Sequence, residues 1–247
     1  MGQKGRGPVD LDDRALLALF DAIAARDHAE AQRLLEQAPG LASRPLEVGA
    51  SRQDPDPYFL IPIGHYVYAG DTALHVAAAA HHRELAESLV ARGARVRARN
   101  RRGAEPVHYA ADGRTDEGDP ESGSQRGVIA YLIEAGADPD ALDKSGVAPL
   151  HRAVRTRSSG AVGALIDGGA DPRLTNNSGS TPLHLAVQNT GKQNSGSERA
   201  KEEQRRIIVL LLGHGARGSD LDAKGRSVAA AASSEWIRQV LDRSRDA

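Results

Sequence analysis

Short blocks of small and branched apolar residues alternate along this chain with polar, glycine-containing joints. Four blocks open on one phrase: Thr72-Ala73-Leu74-His75, Glu105-Pro106-Val107-His108, Ala148-Pro149-Leu150-His151 and Thr181-Pro182-Leu183-His184. Each is followed by a Gly-Ala pair, at Gly93, Gly136, Gly169 and Gly215. From His75 to Gly93 and from His151 to Gly169 the interval is 18 residues; from His108 to Gly136 it is 28, and from His184 to Gly215 it is 31. The return interval, from each glycine to the next histidine, is always 15. Fifteen beyond Gly215 stands Ala230, so a fifth unit keeps the frame and lacks the imidazole. Recurrence of this kind marks a repeat protein, whose core forms by stacking units that cannot bury an apolar face alone.

Each unit predicts two short helices. In Thr-Pro-Leu-His the threonine hydroxyl can cap the first free amides, proline suits the first helical position, and leucine points inward. The second helix carries apolar residues at helical spacing, as in Leu85, Leu89 and Val90 or Ile129, Leu132 and Ile133. It stops at a glycine able to take the left-handed C-terminal conformation. Steps such as Asp138-Pro139, Asp143-Lys144-Ser145-Gly146 and Asn177-Ser178-Gly179 place tight turns in the constant segment.

Those four phrases, the Gly136-Ala137-Asp138 and Gly169-Ala170-Asp171 steps and the period of about 33 residues resemble the ankyrin family, over roughly residues 71 to 241. The resemblance implies a mainly α solenoid of ankyrin repeats: paired antiparallel helices joined by β-hairpin or turn fingers, with about four full repeats between capping units. A concave side of fingers and first helices then serves as the docking face. The expected organisation is a flexible N-terminus at 1–10, a capping helix pair at 11–43, a non-repeat aromatic loop at 44–70 and repeats from 71 to 247. Inserts fall at about 114–126 and 190–203, between helices, and a capping unit closes the chain. Glu105 and Ala148 depart from the pattern by standing where threonine would cap.

Composition changes the picture little. With 40% hydrophobic residues and only 3% aromatic, thin layers of alanine and leucine suit the chain better than one large core. No cysteine is present, which leaves no disulfide, thiolate metal site or thiol nucleophile and fits a reducing compartment. No run reaches membrane-spanning length and residues 1–10 lack a secretory hydrophobic segment, so a cytoplasmic, monomeric protein is the expectation. A net charge of −1 exerts no overall pull on nucleic acid or acidic membranes.

Locally the charge is uneven. Arg92, Arg95, Arg97, Arg99, Arg101 and Arg102 crowd one prospective finger, with Arg152 and Arg155 on the next full unit. Such guanidinium groups suit an anionic patch of a partner, or form a solvated surface neutralised by Glu105, Asp112 or Asp143. The four repeated histidines read as structural braces, each tying a finger to a helix start, so no metal or cofactor is expected. Half of the aromatics fall within 58–68, where Tyr66, Val67 and Tyr68 alternate and put both phenols on one side. This loop either plugs the end of the stack or sets Tyr66 and Tyr68, with His65, on the concave wall.

The leading reading is a non-catalytic module that docks a protein or peptide on its concave surface. Candidate contacts are Tyr66, Tyr68, Arg97, Arg99, Arg101, Arg102, Tyr109, Asp112, Lys144, Arg152, Arg155, Asn176, Asn177 and Gln188. The alternative is a small-molecule-binding protein or enzyme whose site lies between the 58–71 loop and the groove, using His65, Tyr66, Tyr68, Asp71, Tyr109, Asp112 and Arg155. Nucleic-acid binding through the arginine finger is a third, less favoured reading. A closed pocket joining the loop to Tyr109 favours the alternative, an open groove the docking module.

Overall fold

The computed structural model describes residues 11–112, 122–188, 197–232 and 234–243. The tail at 1–10 and the middle of both inserts lie outside them. Twelve α-helices form six pairs among the described residues: α1 Leu11–Ala24 and α2 His28–Gln37, α3 Ala73–Ala79 and α4 Arg83–Ala91, α5 Pro106–Ala111 and α6 Ser122–Glu134, α7 Pro149–Arg155 and α8 Ser159–Asp167, α9 Pro182–Ala186 and α10 Glu198–Gly213, α11 Val228–Ala231 and α12 Glu235–Arg243. First helices stack in the order α1, α3, α5, α7, α9 and α11; the second layer runs α4, α6, α8, α10 and α12. This is an α solenoid with one continuous core. Leu74, Val107, Leu150 and Leu183 hold the same inward slot and are buried, as are Leu89, Leu132, Leu165 and Leu211, each four residues before its glycine. Gly93, Gly136, Gly169 and Gly215 all adopt positive φ, which lets the chain leave the helix without a Cβ clash.

Two side chains per unit join the repeats. In each finger an Asx side chain closes the turn: Asn100 Oδ1 accepts from the amides of Arg102 and Ala104, Asp143 Oδ1 from Ser145 and Val147, Asn176 Oδ1 from Ser178 and Ser180, and Asp222 Oδ1 from Lys224 and Arg226, all within 2.8–3.1 Å. The last residue of each turn then offers its carbonyl to the histidine of the preceding unit. Nε2 of His75, His108, His151 and His184 lies 3.2, 3.1, 3.0 and 3.3 Å from the carbonyls of Ala104, Val147, Ser180 and Arg226. Nδ1 of the same rings accepts from the N-cap amides of Thr72, Glu105, Ala148 and Thr181 at 3.1–3.3 Å. An acceptor at Nδ1 requires the proton at Nε2, so all four rings are neutral braces. Because the ring reaches the cap amide itself, the missing threonine at Glu105 and Ala148 is tolerated.

The fingers take the turn form: each closes on one backbone bond across its mouth, as from Asn100 N to Ala104 O at 3.1 Å, and among the described finger residues a β-bridge joins only Leu221 and Ser227. Four-residue Asx turns leave no length for a ladder. The described C-terminal ends of the inserts, 122–126 and 198–203, belong to the second helices, since α6 begins at Ser122 and α10 at Glu198. Ser197 caps α10 by accepting from Ala200 N at 3.2 Å, and i to i+3 pairs such as Lys201–Glu198 and Arg205–Glu202 line its added turns.

Candidate functional site: a cleft between the aromatic hairpin and the fingers

The wall of the site is built by residues 44–70, which dock against both neighbours. Leu46 N donates to Asp71 O at 2.7 Å, Gly70 N to Leu46 O at 2.7 Å, and Ala50 N to Val67 O at 2.8 Å. The buried Asp13 carboxylate of α1 accepts from the amides of Glu47 and Val48. Within this frame β1 Phe59–Leu60 pairs antiparallel with β2 His65–Tyr66 around a 3₁₀ turn at Ile61–Ile63 and a left-handed Gly64. Strand alternation sends Leu60 and Val67 into the core and leaves Phe59 and Tyr66 outward, ring centroids 4.6 Å apart. Plug and wall are thus the same segment: Tyr58, Leu60 and Val67 seal the stack, and Tyr66 and Tyr68 face the groove.

Under the cleft lies a buried polar network. The fully buried Asp71 carboxylate accepts from Tyr109 Oη at 2.7 Å, Asn100 Nδ2 at 2.9 Å and Tyr68 N at 2.6 Å. Burial, then the adjacent Asp71 charge, pushes the Tyr109 phenol well above its ordinary value, so it stays a donor. The His65 ring lies against Tyr109, tilted by 32° with centroids 4.5 Å apart, and its Nε2 sits 3.5 Å from Asp112. Arg152 bridges outward from there, Nη1 to Asp112 at 2.9 Å and Nη2 to Asp143 at 3.1 Å. Burial opposes ionisation of both carboxyls, yet hydrogen bonds and the guanidinium hold them below the usual carboxylate range. Three consecutive units are joined by this chain.

The cleft itself has a volume of about 640 Å³ and is lined by the hairpin, two fingers and the first helices α5 and α7. Its polar lining includes Tyr66, Tyr68, Arg101, Arg102, Asp112, Lys144, Arg152 and Arg155, residues that the sequence reading set side by side, together with His65 and Tyr109. Tyr68 is clasped between two guanidinium groups, Arg102 at 4.4 Å and Arg101 at 5.3 Å from its ring, and Arg102 Nη1 donates to its hydroxyl at 3.3 Å. Arg101 also donates to Ala50 O and so fastens the loop. Lys144 and Arg155 are exposed, with no carboxylate in ion-pair range among the described residues.

The remaining candidates lie elsewhere or are occupied. Arg97 pairs with Asp138 at 3.2 Å and lies 3.5 Å from the buried Glu105; Arg99 donates to the carbonyls of Gly103 and Leu142. The arginine finger is therefore largely engaged in finger-to-finger contacts. Asn176 is spent on its own turn, and Asn177 reaches Lys144 O at 3.4 Å outside the cleft. Gln188 is exposed beyond α9, its carbonyl bound by the buried Gln204. Tyr109 is buried and Arg152 largely so, serving as floor and strut. Sequence reasoning missed Asn100, Asp143 and Ser145 as lining residues. The signal available was the recurrence of Asx at 100, 143, 176 and 222, always four residues before the carbonyl that the preceding histidine takes.

Among the described residues no group of three or more histidine or carboxylate side chains could hold a metal ion, and no helix is long and apolar enough to cross a membrane. No curated protein matches the chain. Family models for ankyrin repeats match it twice, as three copies over residues 122–223 and as a single repeat over residues 69–101. Ankyrin repeats are generally protein–protein interaction modules. With both matches falling on the stacked helix pairs and their braced fingers, this chain belongs to the ankyrin repeat family.

Proposed function

We propose that the protein docks a protein or peptide partner in the cleft between the aromatic hairpin and the fingers of the first three repeats. The supporting observation is the cleft's construction: aromatic residues and cations without an ion-pair partner among the described residues, drawn from successive units, stand on a floor whose own polar groups are internally bonded. Such a floor is rigid, so little ordering entropy is lost when a partner binds. The groove is lined by two fingers and two first helices, which suits an extended chain, and contacts shared by several units suit a solenoid. A small-molecule or catalytic site in the same cleft has one point in its favour, the convergence of His65, Tyr66, Tyr109 and Asp112. Against it, Tyr109 is bound to Asp71 and Asp112 to Arg152, so neither is left to act on a substrate.

A steric plug tests docking independently of charge. Ser145 is exposed on the cleft lining and bonds through its backbone, its amide to Asp143 and its carbonyl to the Asn177 amide. Ser145→Trp fills the groove, whereas Arg126→Glu on α6 alters the second-helix face. Proteins retained from cell extract by the wild type and by Arg126→Glu, and lost from Ser145→Trp, support the reading. Equal retention by all three contradicts it.

A further inference from the structure

The cleft carries an imbalance of charge in a chain that is otherwise near neutral. Five cations line it, Arg101, Arg102, Lys144, Arg152 and Arg155, against two carboxylates, Asp112 and Asp143. Both carboxylates are consumed by the largely buried Arg152. Arg101 and Arg102 rest on the Tyr68 ring and, among the described residues, bond to a carbonyl and a phenol and form no ion pair. Lys144 and Arg155 meet no carboxylate among the described residues. Four positive groups therefore face one groove without an ion-pair partner among the described residues. In a partly enclosed cleft such groups hold a negative partner more strongly than on open surface, where water screens them.

At one end of this groove the hairpin exposes an apolar lip. Ile61 is 80% exposed at the turn, and Phe59 and Tyr66 are 37% and 36% exposed with their rings in contact. These side chains come from the segment whose opposite face seals the stack, so the lip is held in place by Leu60 and Val67. A cationic trough ending in an anchored aromatic and aliphatic lip defines two requirements in a partner.

We infer that the partner is an acidic peptide segment carrying one large apolar residue, its carboxylates lying along Arg101, Arg102, Lys144 and Arg155 and its apolar side chain on Phe59, Ile61 and Tyr66. This inference rests on the docking role proposed above and specifies its chemistry. Carboxylates spaced along an extended chain can meet cations contributed by separate units, which a single compact anion cannot do. The apolar lip adds a contact that nucleic-acid backbone or inorganic phosphate leaves unused.

The probe is a fluorescein-labelled peptide of glutamate and aspartate with one phenylalanine near its end, titrated against the full chain by fluorescence anisotropy. Saturable binding is expected, weakening as salt is raised, because charges at a solvent-facing cleft are screened within a Debye length. Lys144→Glu combined with Arg155→Glu weakens it by about tenfold or more, and Ile61→Ser weakens it severalfold while leaving the salt dependence in place. Both residues of the double variant are exposed and without an ion-pair partner among the described residues, and an unchanged circular-dichroism melt confirms that the fold is kept. Equal binding of a peptide with glutamine and asparagine in place of the acids overturns the inference, as does no binding, or tighter binding of inorganic phosphate or an oligonucleotide. If Ser145→Trp abolishes partner retention while the acidic probe fails, docking stands and this chemistry falls. If retention survives Ser145→Trp, the docking reading itself has failed.

Discussion

Tyr109 donates its hydroxyl proton to Asp71 across the boundary between the first two repeats, at 2.7 Å and with both side chains buried. A buried carboxylate retains its charge only where donors replace water, and Asp71 has three: the phenol, the Asn100 amide and the Tyr68 backbone. One of them belongs to the aromatic segment, so the same carboxylate fixes the hairpin to the stack. Tyr109→Phe removes one donor and leaves the ring. Hydrogen bonds to charged groups contribute roughly 1.5–3 kcal/mol, and a loss in that range is expected in urea unfolding at neutral pH. An unchanged midpoint would show that the Tyr109–Asp71 bond contributes nothing to the fold.

Leu150 lies at the centre of the stack and is 1% exposed. Leu150→Ala should cost on the order of 2–4 kcal/mol, the range for a leucine whose cavity cannot collapse. Stability in a solenoid is carried by neighbour-to-neighbour interfaces, so a weakened third repeat should also separate the two ends. Trp236, the chain's only tryptophan, reports on the last helix pair. Its fluorescence transition should part from the far-ultraviolet circular-dichroism transition in the variant and coincide with it in the wild type.

Acid should weaken the fold before most carboxylates titrate. Burial, followed by the Arg152 charge, lowers His108 from 6.5 to about 4; burial likewise lowers His75 and His151. A base whose folded pKa lies below its unfolded one is bound by fewer protons in the native state, so stability is full above about 6.5 and falls as pH drops toward 4. His108 alone accounts for about 3 kcal/mol over that window. The depressed carboxyls of Asp112 and Asp143 add a loss of the same sign at lower pH. Urea midpoints that stay level between neutral pH and about pH 5 would contradict neutral, bracing imidazoles.

Gly146 turns its finger with φ +69°. A Cβ there would meet Asn177, whose backbone nitrogen would lie 2.8 Å away, so the next finger stacks where the side chain would be. Gly146→Ala should destabilise by roughly 1–2 kcal/mol from the left-handed backbone alone, with the clash added. Gly136→Ala has positive φ without any neighbour within 4 Å and isolates the backbone contribution. Equal thermal shifts for the two variants would deny the close finger contact.

The stack was legible in the sequence because its signals are local. Capping phrases, helical spacing and terminal glycines all act within one unit, and the constant interval of 15 residues placed every histidine and every turn. The cleft was legible only in part. Tyr66, Tyr68, Arg101, Arg102, Lys144 and Arg155 could be named as facing one groove, since first-helix and finger positions follow the same frame. That Arg152 would be locked between Asp112, 40 residues earlier, and Asp143 leaves no local mark, because either carboxylate could have stayed in solvent. The bonding of the arginine finger was hidden for the same reason: clustering in sequence is visible, whereas the carbonyls, carboxylate and phenol that Arg97, Arg99, Arg101 and Arg102 reach belong to other segments.

Amide hydrogen exchange of the full chain, alone and saturated with a retained partner, tests the docking face most directly. Slowed exchange is expected at residues 64–68, 101–104 and 143–147, the three segments that line one cleft, with α6 and α8 unchanged on the second layer. Protection that falls instead on α6 and α8, with the cleft segments exchanging as before, would place the partner on the opposite face and contradict the account.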